Sequence, residues 1–232
     1  MKTSLRNYYH LCKPGIIYGN VLVAAAGFAY AAKGVINYPI LVATLLGLAA
    51  IVASACVANN IYDRNIDALM HRTKLRAMVL GTVSVGRGLL FSNLLLLIGI
   101  LLLFFYANLT TLGVALFGWL VYVALYTPLK TKTALAVFVG AVAGATPPVV
   151  GYVAVTNALD LSAAVLFIFL FLWQLPHFLA IAKYRHHEYS AAGVPLLVSA
   201  PSSPKAARQA KLIFYFSLVV LLLWCFILMP HR

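Results

Sequence analysis

Four carboxylates occur in 232 residues, and two of them fall in helical register with an asparagine: in NNIYDRNID, Asn59, Asp63 and Asp67 follow one another every fourth position. A continuing helix stacks such residues on one face. Two carboxylates and an amide oxygen in a row repel unless a cation lies between them, and a set of hard oxygens favours magnesium. Magnesium takes few protein carboxylates and fills its octahedron with water and substrate phosphate, so the triplet asks for a phosphorylated partner. The residues that follow, ALMHRTKLRAMV, carry Arg72, Lys74 and Arg76, and arginine engages phosphate in bidentate fashion. Cations so placed also serve to set membrane topology.

Three other segments carry polar groups. YTPLKTKT sets Tyr126 and Lys130 on either side of helix-breaking Pro128; a hydroxyl and an ammonium there suit a diphosphate, although a helix-ending turn with topological lysines needs no function. FLWQLPHFLAIAKYRHHEY puts Pro176 and His177 inside an apolar stretch. An intramembrane ionisable residue marks a functional site by default, and a neutral histidine bonded to a neighbouring helix is the structural alternative. Glu188 lies just beyond, after His186 and His187, whose adjacent positions point apart and make a poor zinc set. In GAVAGATPPVVGY, from Gly140 to Tyr152, small residues permit close helix approach, and Pro147 and Pro148 bend the chain, either opening a cavity or merely kinking a packed helix.

The elements that must position these groups are membrane helices. Hydrophobic residues make up 64% of the chain and charged residues 9%, more apolar surface than a soluble domain needs. Stretches of about 20 apolar residues, enough to span a bilayer, predict seven helices near 14–33, 38–60, 88–106, 108–127, 134–155, 160–183 and 211–229, in one membrane domain over 1–232. Only Ala107 and Asn108 separate the third and fourth, so a different division of 88–127 would change the topology. The net charge of +13 would suit nucleic acid, but the placement of the seventeen Lys and Arg residues excludes that need. All except Lys33 and Arg232 fall on one side of the predicted spans, which puts the N-terminus and the site-bearing loops in the cytoplasm. The first helix is too long for a signal-peptide core and is expected to be retained. Cys12, Cys56 and Cys225 are too dispersed for a metal site and read as packing residues.

The motifs resemble the UbiA-type intramembrane prenyltransferase superfamily, whose first aspartate-rich motif, N-x-x-x-D-x-x-x-D, here reads Asn59, Asp63, Asp67. More narrowly, DRNIDALMHRTKLR, YTPLKTKT, GAVAGATPPVVGY and WQLPHFLAIAKY followed by EYSAAGVPLL are similar, in order, to the protoheme IX farnesyltransferase branch. The likeness covers residues 8–199, including CKPGIIYGN at the start of the first helix. It implies an all-α polytopic transmembrane bundle in the inner membrane. It further implies magnesium-dependent transfer of a farnesyl group from farnesyl diphosphate to a vinyl group of protoheme IX, giving heme O for heme-copper oxidases. Membrane lipid surrounds such enzymes, and heme-handling or oxidase-assembly proteins are candidate partners.

By the same resemblance Asn59, Asp63, Asp67 and Glu188 hold magnesium, and Arg72, Arg76, Tyr126 and Lys130 address the diphosphate. Asp63, Asp67 and Lys130 are then catalytic, and His177 faces the porphyrin. The chain departs from the family pattern in two ways: RHHEY offers one carboxylate where relatives often carry a pair, and about seven helices stand where the family usually has nine, so the chain is expected to be C-terminally short. Two rival readings are prenylation of an aromatic or quinone precursor, and a non-catalytic assembly factor or transporter. A transporter would need polar residues midway along several spans, whereas here they cluster at the cytoplasmic ends.

Overall fold

Capping and proline chemistry set where the helices begin. In the computed structural model, which describes residues 5–229, every regular element is helical. The short α1 (Leu5–Leu11) precedes α2 (Pro14–Ala32), α3 (Tyr38–Leu69), α4 (Val85–Tyr106) and α5 (Leu109–Leu129). After them come α6 (Ala136–Thr156), α7 (Leu161–Tyr184), the short α8 (His186–Ala191) and α9 (Pro204–Leu228). Asn37, Ser84, Asn108, Asp160 and Ser203 each accept a backbone N–H three residues on, capping α3, α4, α5, α7 and α9. Pro14 and Pro204 occupy first positions, where a missing N–H costs nothing. Seven of these helices are long and apolar enough to cross a membrane, as the expected all-α transmembrane bundle requires.

Two expected boundaries need correction. The second span, expected over 38–60, runs on to Leu69, because Asn59, Asn60, Asp63 and Asp67 are buried against other elements and find their partners inside the protein. The last span, expected over 211–229, starts at Pro204; the Ser203 cap lets Lys205, Arg208 and Lys211 ride on its first turns. The junction at Ala107 and Asn108 is a true helix break. Asn108 accepts the Thr111 N–H at 2.8 Å and donates from Nδ2 to the Val153 carbonyl at 2.8 Å.

Glycines govern how near the helices lie. A β-carbon at Gly27 would fall 2.1 Å from the Pro148 carbonyl oxygen, and one at Gly151 would fall 1.9 Å from that of Ala24, so α2 and α6 touch backbone to backbone. The helix α6 also breaks at Ala145, where its halves Ala136–Gly144 and Thr146–Thr156 meet, with Pro147 and Pro148 in the first turn of the second half. Close packing and a bend therefore coexist in this helix. In α5 the stretch Val121–Tyr126 widens to a π-helix, a distortion associated with functional sites. There the Thr127 hydroxyl donates to the Tyr122 carbonyl at 2.8 Å.

Candidate active site

The long α3 carries the triplet to the end of a cavity of about 880 Å³ enclosed by α2, α3, α5, α6, α7 and α9. Asn59, Asp63 and Asp67 all line it and are at most 3% exposed. Further back along α3 the wall turns apolar, with Leu48, Ile51 and Val52, and Trp119 of α5 continues it. Each member of the triplet has a cation from a different connection. Arg76, in the segment between α3 and α4, donates to Asp67 Oδ2 at 2.6 Å. Lys130, just past α5, is paired with Asp63 Oδ2, and Lys13, between α1 and α2, donates to Asn59 Oδ1.

Local structure holds these groups in place. Asn59 Nδ2 donates to the Thr127 hydroxyl at 3.1 Å, which fixes the amide so that its oxygen faces Lys13. The Thr73 hydroxyl donates to the Asp67 carbonyl at 2.8 Å, tying the Arg76 segment to the end of α3. One turn of the π-helix sets Tyr122 and Tyr126 side by side on the cavity wall with ring centroids 5.3 Å apart. Lys130 Nζ lies 5.9 Å from the Tyr126 ring. Gly140 makes room: a β-carbon there would be 2.9 Å from that ring. Arg72 also lines the cavity. Burial pushes the Tyr189 phenol up in pKa, and the nearby Arg72 and Arg185 oppose that.

The donor set fits a divalent metal ion. All the acceptors are hard oxygens, and Asp63 Oδ1 is buried without a hydrogen-bond partner, a lone pair that costs free energy unless something binds it. Glu188 does not join this set. It sits on α8 with Arg185 Nη1 at 3.5 Å, and its neighbour Tyr189 takes the position on the cavity wall. Nor do His186, His187 and Glu188 form a site: among the described residues no three His, Cys, Asp or Glu side chains converge as metal ligands.

At the other side of the cavity His177 is buried between helices. Its ring stacks on Trp173 with centroids 5.0 Å apart and lies 4.8 Å from Phe214. Its Nδ1 is 2.7 Å from the Ser217 hydroxyl, which in turn donates to the Phe214 carbonyl at 2.7 Å. A serine has one proton to give, so the tautomer with the proton on Nδ1 is the one that satisfies both contacts at once. The structural alternative, a histidine bonded to a neighbouring helix, is present in this contact, and the same ring lines the cavity.

Sequence reasoning missed Lys13, Tyr122, Thr127 and Tyr189 as cavity or triplet neighbours. Lys13 was counted among topological charges. Its one local signal is the proline after it, which starts α2 and so places the lysine at a helix entrance.

Comparisons with known proteins give a family and a fold. The model of the UbiA prenyltransferase family matches residues 20–231. A protoheme IX farnesyltransferase from Protochlamydia amoebophila is 46% identical over 192 residues, covering 82% of this chain and 68% of that protein. A protoheme IX farnesyltransferase 2 from Pseudomonas putida is 43% identical over 222 residues, 95% of this chain and 75% of that one. Among solved structures, a UbiA homolog from Archaeoglobus fulgidus bound to DMAPP and Mg2+ superposes with a TM-score of 0.72 at 19% identity, covering 97% of this chain and 79% of its own. A digeranylgeranylglyceryl phosphate synthase gives 0.69 at 19% identity, covering 98% and 79%. At that identity the solved structures speak for the fold alone.

Proposed function

The chain belongs to the UbiA prenyltransferase family, and from that premise we propose that it transfers the farnesyl group of farnesyl diphosphate to a vinyl group of protoheme IX, yielding heme O. The observation that carries this reading is the joining of an acidic, cation-ringed end to an apolar chamber in one cavity. A substrate with a diphosphate head and a long isoprenoid tail has that same division. The acceptor rests on the two relatives named for this activity.

Asn59, Asp63 and Asp67 would hold magnesium, the metal bound with an allylic diphosphate in the Archaeoglobus homolog. Magnesium when bound would neutralise charge on the diphosphate oxygens. Lys130, Arg76 and Arg72 then address the oxygens left over, and the Tyr126 hydroxyl adds a neutral donor. These groups stabilise the electron pair that leaves with the diphosphate when the allylic C–O bond breaks. The terminal vinyl carbon attacks the allylic cation, the new cation forms on the inner vinyl carbon beside the pyrrole, and water adds there with loss of a proton. Leu48, Ile51 and Trp119 keep water from the first cation. His177 faces the porphyrin, with Trp173 and Phe214 offering aromatic surface. Glu188, on α8, is left paired with Arg185. The charge asymmetry supports a site on the cytoplasmic side of the membrane.

The test uses purified protein in detergent with heme B, farnesyl diphosphate and magnesium, and mass spectrometry for hydroxyethylfarnesyl heme. Wild type gives product, chelation of magnesium abolishes it, and Asp63→Asn lowers the rate by about 100-fold or more. A folded wild type that prenylates an aromatic acid or quinone precursor but never heme would refute the acceptor assignment.

A further inference from the structure

The reading above gives Lys13 no task, and its surroundings supply one. The residue has left-handed backbone, φ 52° and ψ 66°, a strained conformation for a residue with a β-carbon, and Pro14 holds the start of α2 directly after it. From this turn the side chain lines the cavity and donates to Asn59 Oδ1. Lys130 and Arg76 each face a carboxylate, Asp63 and Asp67. Lys13 faces an amide, which carries no charge to offset the ammonium. The cavity wall thus holds one more cation than its two carboxylates balance, even before Arg72 is considered, and a half-buried ammonium without a counter-ion favours an anion beside it.

We propose that Lys13 binds the diphosphate group directly, as a fourth cation beside Lys130, Arg76 and Arg72. This rests on the reading of the cavity as a magnesium diphosphate site. A divalent ion that takes Asn59 Oδ1 takes the acceptor Lys13 uses. The phosphate oxygens are then the charged acceptors in the same cavity, and they bind an ammonium more strongly than an amide does. The N-terminal turn, together with the loop beyond the triplet, thereby supplies part of the leaving-group site.

The experiment measures binding of inorganic pyrophosphate with magnesium to the full chain in detergent micelles by calorimetry, with thermal unfolding alongside. Lys13→Met weakens pyrophosphate binding by about 10- to 100-fold, and Lys13→Arg recovers part of the loss. Lys13→Gly suits the left-handed backbone, so it keeps the question answerable should Lys13→Met not fold, and it shows the same loss without a fall in unfolding temperature. The loss from Lys13→Met persists on an Asn59→Ala background. Unchanged pyrophosphate affinity in a folded Lys13 variant overturns the proposal. So does a loss that vanishes once Asn59 is gone, since Lys13 would then only hold the amide in place. Wild type that fails to bind magnesium pyrophosphate at all sinks the diphosphate reading itself, a result separable from either of those.

Discussion

At the scale of single residues, the cavity's acidic end depends on pairing across connections far apart in sequence. Arg76 on Asp67, Lys130 on Asp63 and Lys13 on Asn59 place three cations on three consecutive turns of α3. Nearby, the Cys12 thiol is the neighbour of Lys13 but is turned away from chemistry. Burial, with a smaller contribution from Cys56, pushes its pKa up to about 11, and its Sγ donates to the Tyr8 carbonyl at 3.3 Å. Because the thiolate is the reactive form, Cys12 in a variant lacking the other two cysteines should react slowly with a water-soluble maleimide at neutral pH. The rate should rise about tenfold per pH unit through the alkaline range, following the thiolate fraction. A rate that levels off near pH 9 would show an ordinary thiol and contradict the burial described here.

At the scale of elements, glycine contacts fix the bundle more tightly than any sequence period does. Gly151→Ala would drive a β-carbon to 1.9 Å from the Ala24 carbonyl, backbone that cannot rotate away. It should destabilise the folded chain by about 2 kcal/mol or more through overpacking. Gly113→Ala on α5 meets no atom within 4 Å and should be neutral or stabilising by up to about 1 kcal/mol through helix propensity. Thermal unfolding of the two variants in the same detergent decides it, and equal shifts would mean that α2 and α6 are not in backbone contact. The π-helical stretch of α5 belongs at this scale too. It carries Tyr122 and Tyr126, which both line the cavity wall.

At the scale of the whole molecule, apolar side chains cover the outer faces of α4 and α9. Leu94, Leu97, Leu101, Phe104, Leu222 and Phe226 are all exposed, a surface suited to lipid and not to water. The basic residues predict an orientation in that lipid. In intact spheroplasts a membrane-impermeant thiol reagent should label a cysteine at Lys33, between α2 and α3, and spare one at Lys132, between α5 and α6. The reverse pattern would invert the topology and place the site on the outer face.

The sequence by itself determined an all-helical membrane bundle and the aspartate face. Long apolar stretches admit no other stable structure in a bilayer, and a spacing of four residues leaves Asn59, Asp63 and Asp67 no choice but one side of α3. It also carried the family likeness, since ordered motifs survive where tertiary contacts are invisible. Tertiary structure alone decided which cation meets which oxygen. Lys13 is 46 positions from Asn59 and Lys130 is 67 from Asp63, and no local periodicity links positions so far apart. It also supplied the buried partners that let α3 run on past residue 60, where the hydropathic stretch ends. For the same reason Glu188, which motif order sets beside the triplet, stands apart from it: the turn into α8 gives the cavity wall to Tyr189 and leaves the carboxylate to Arg185.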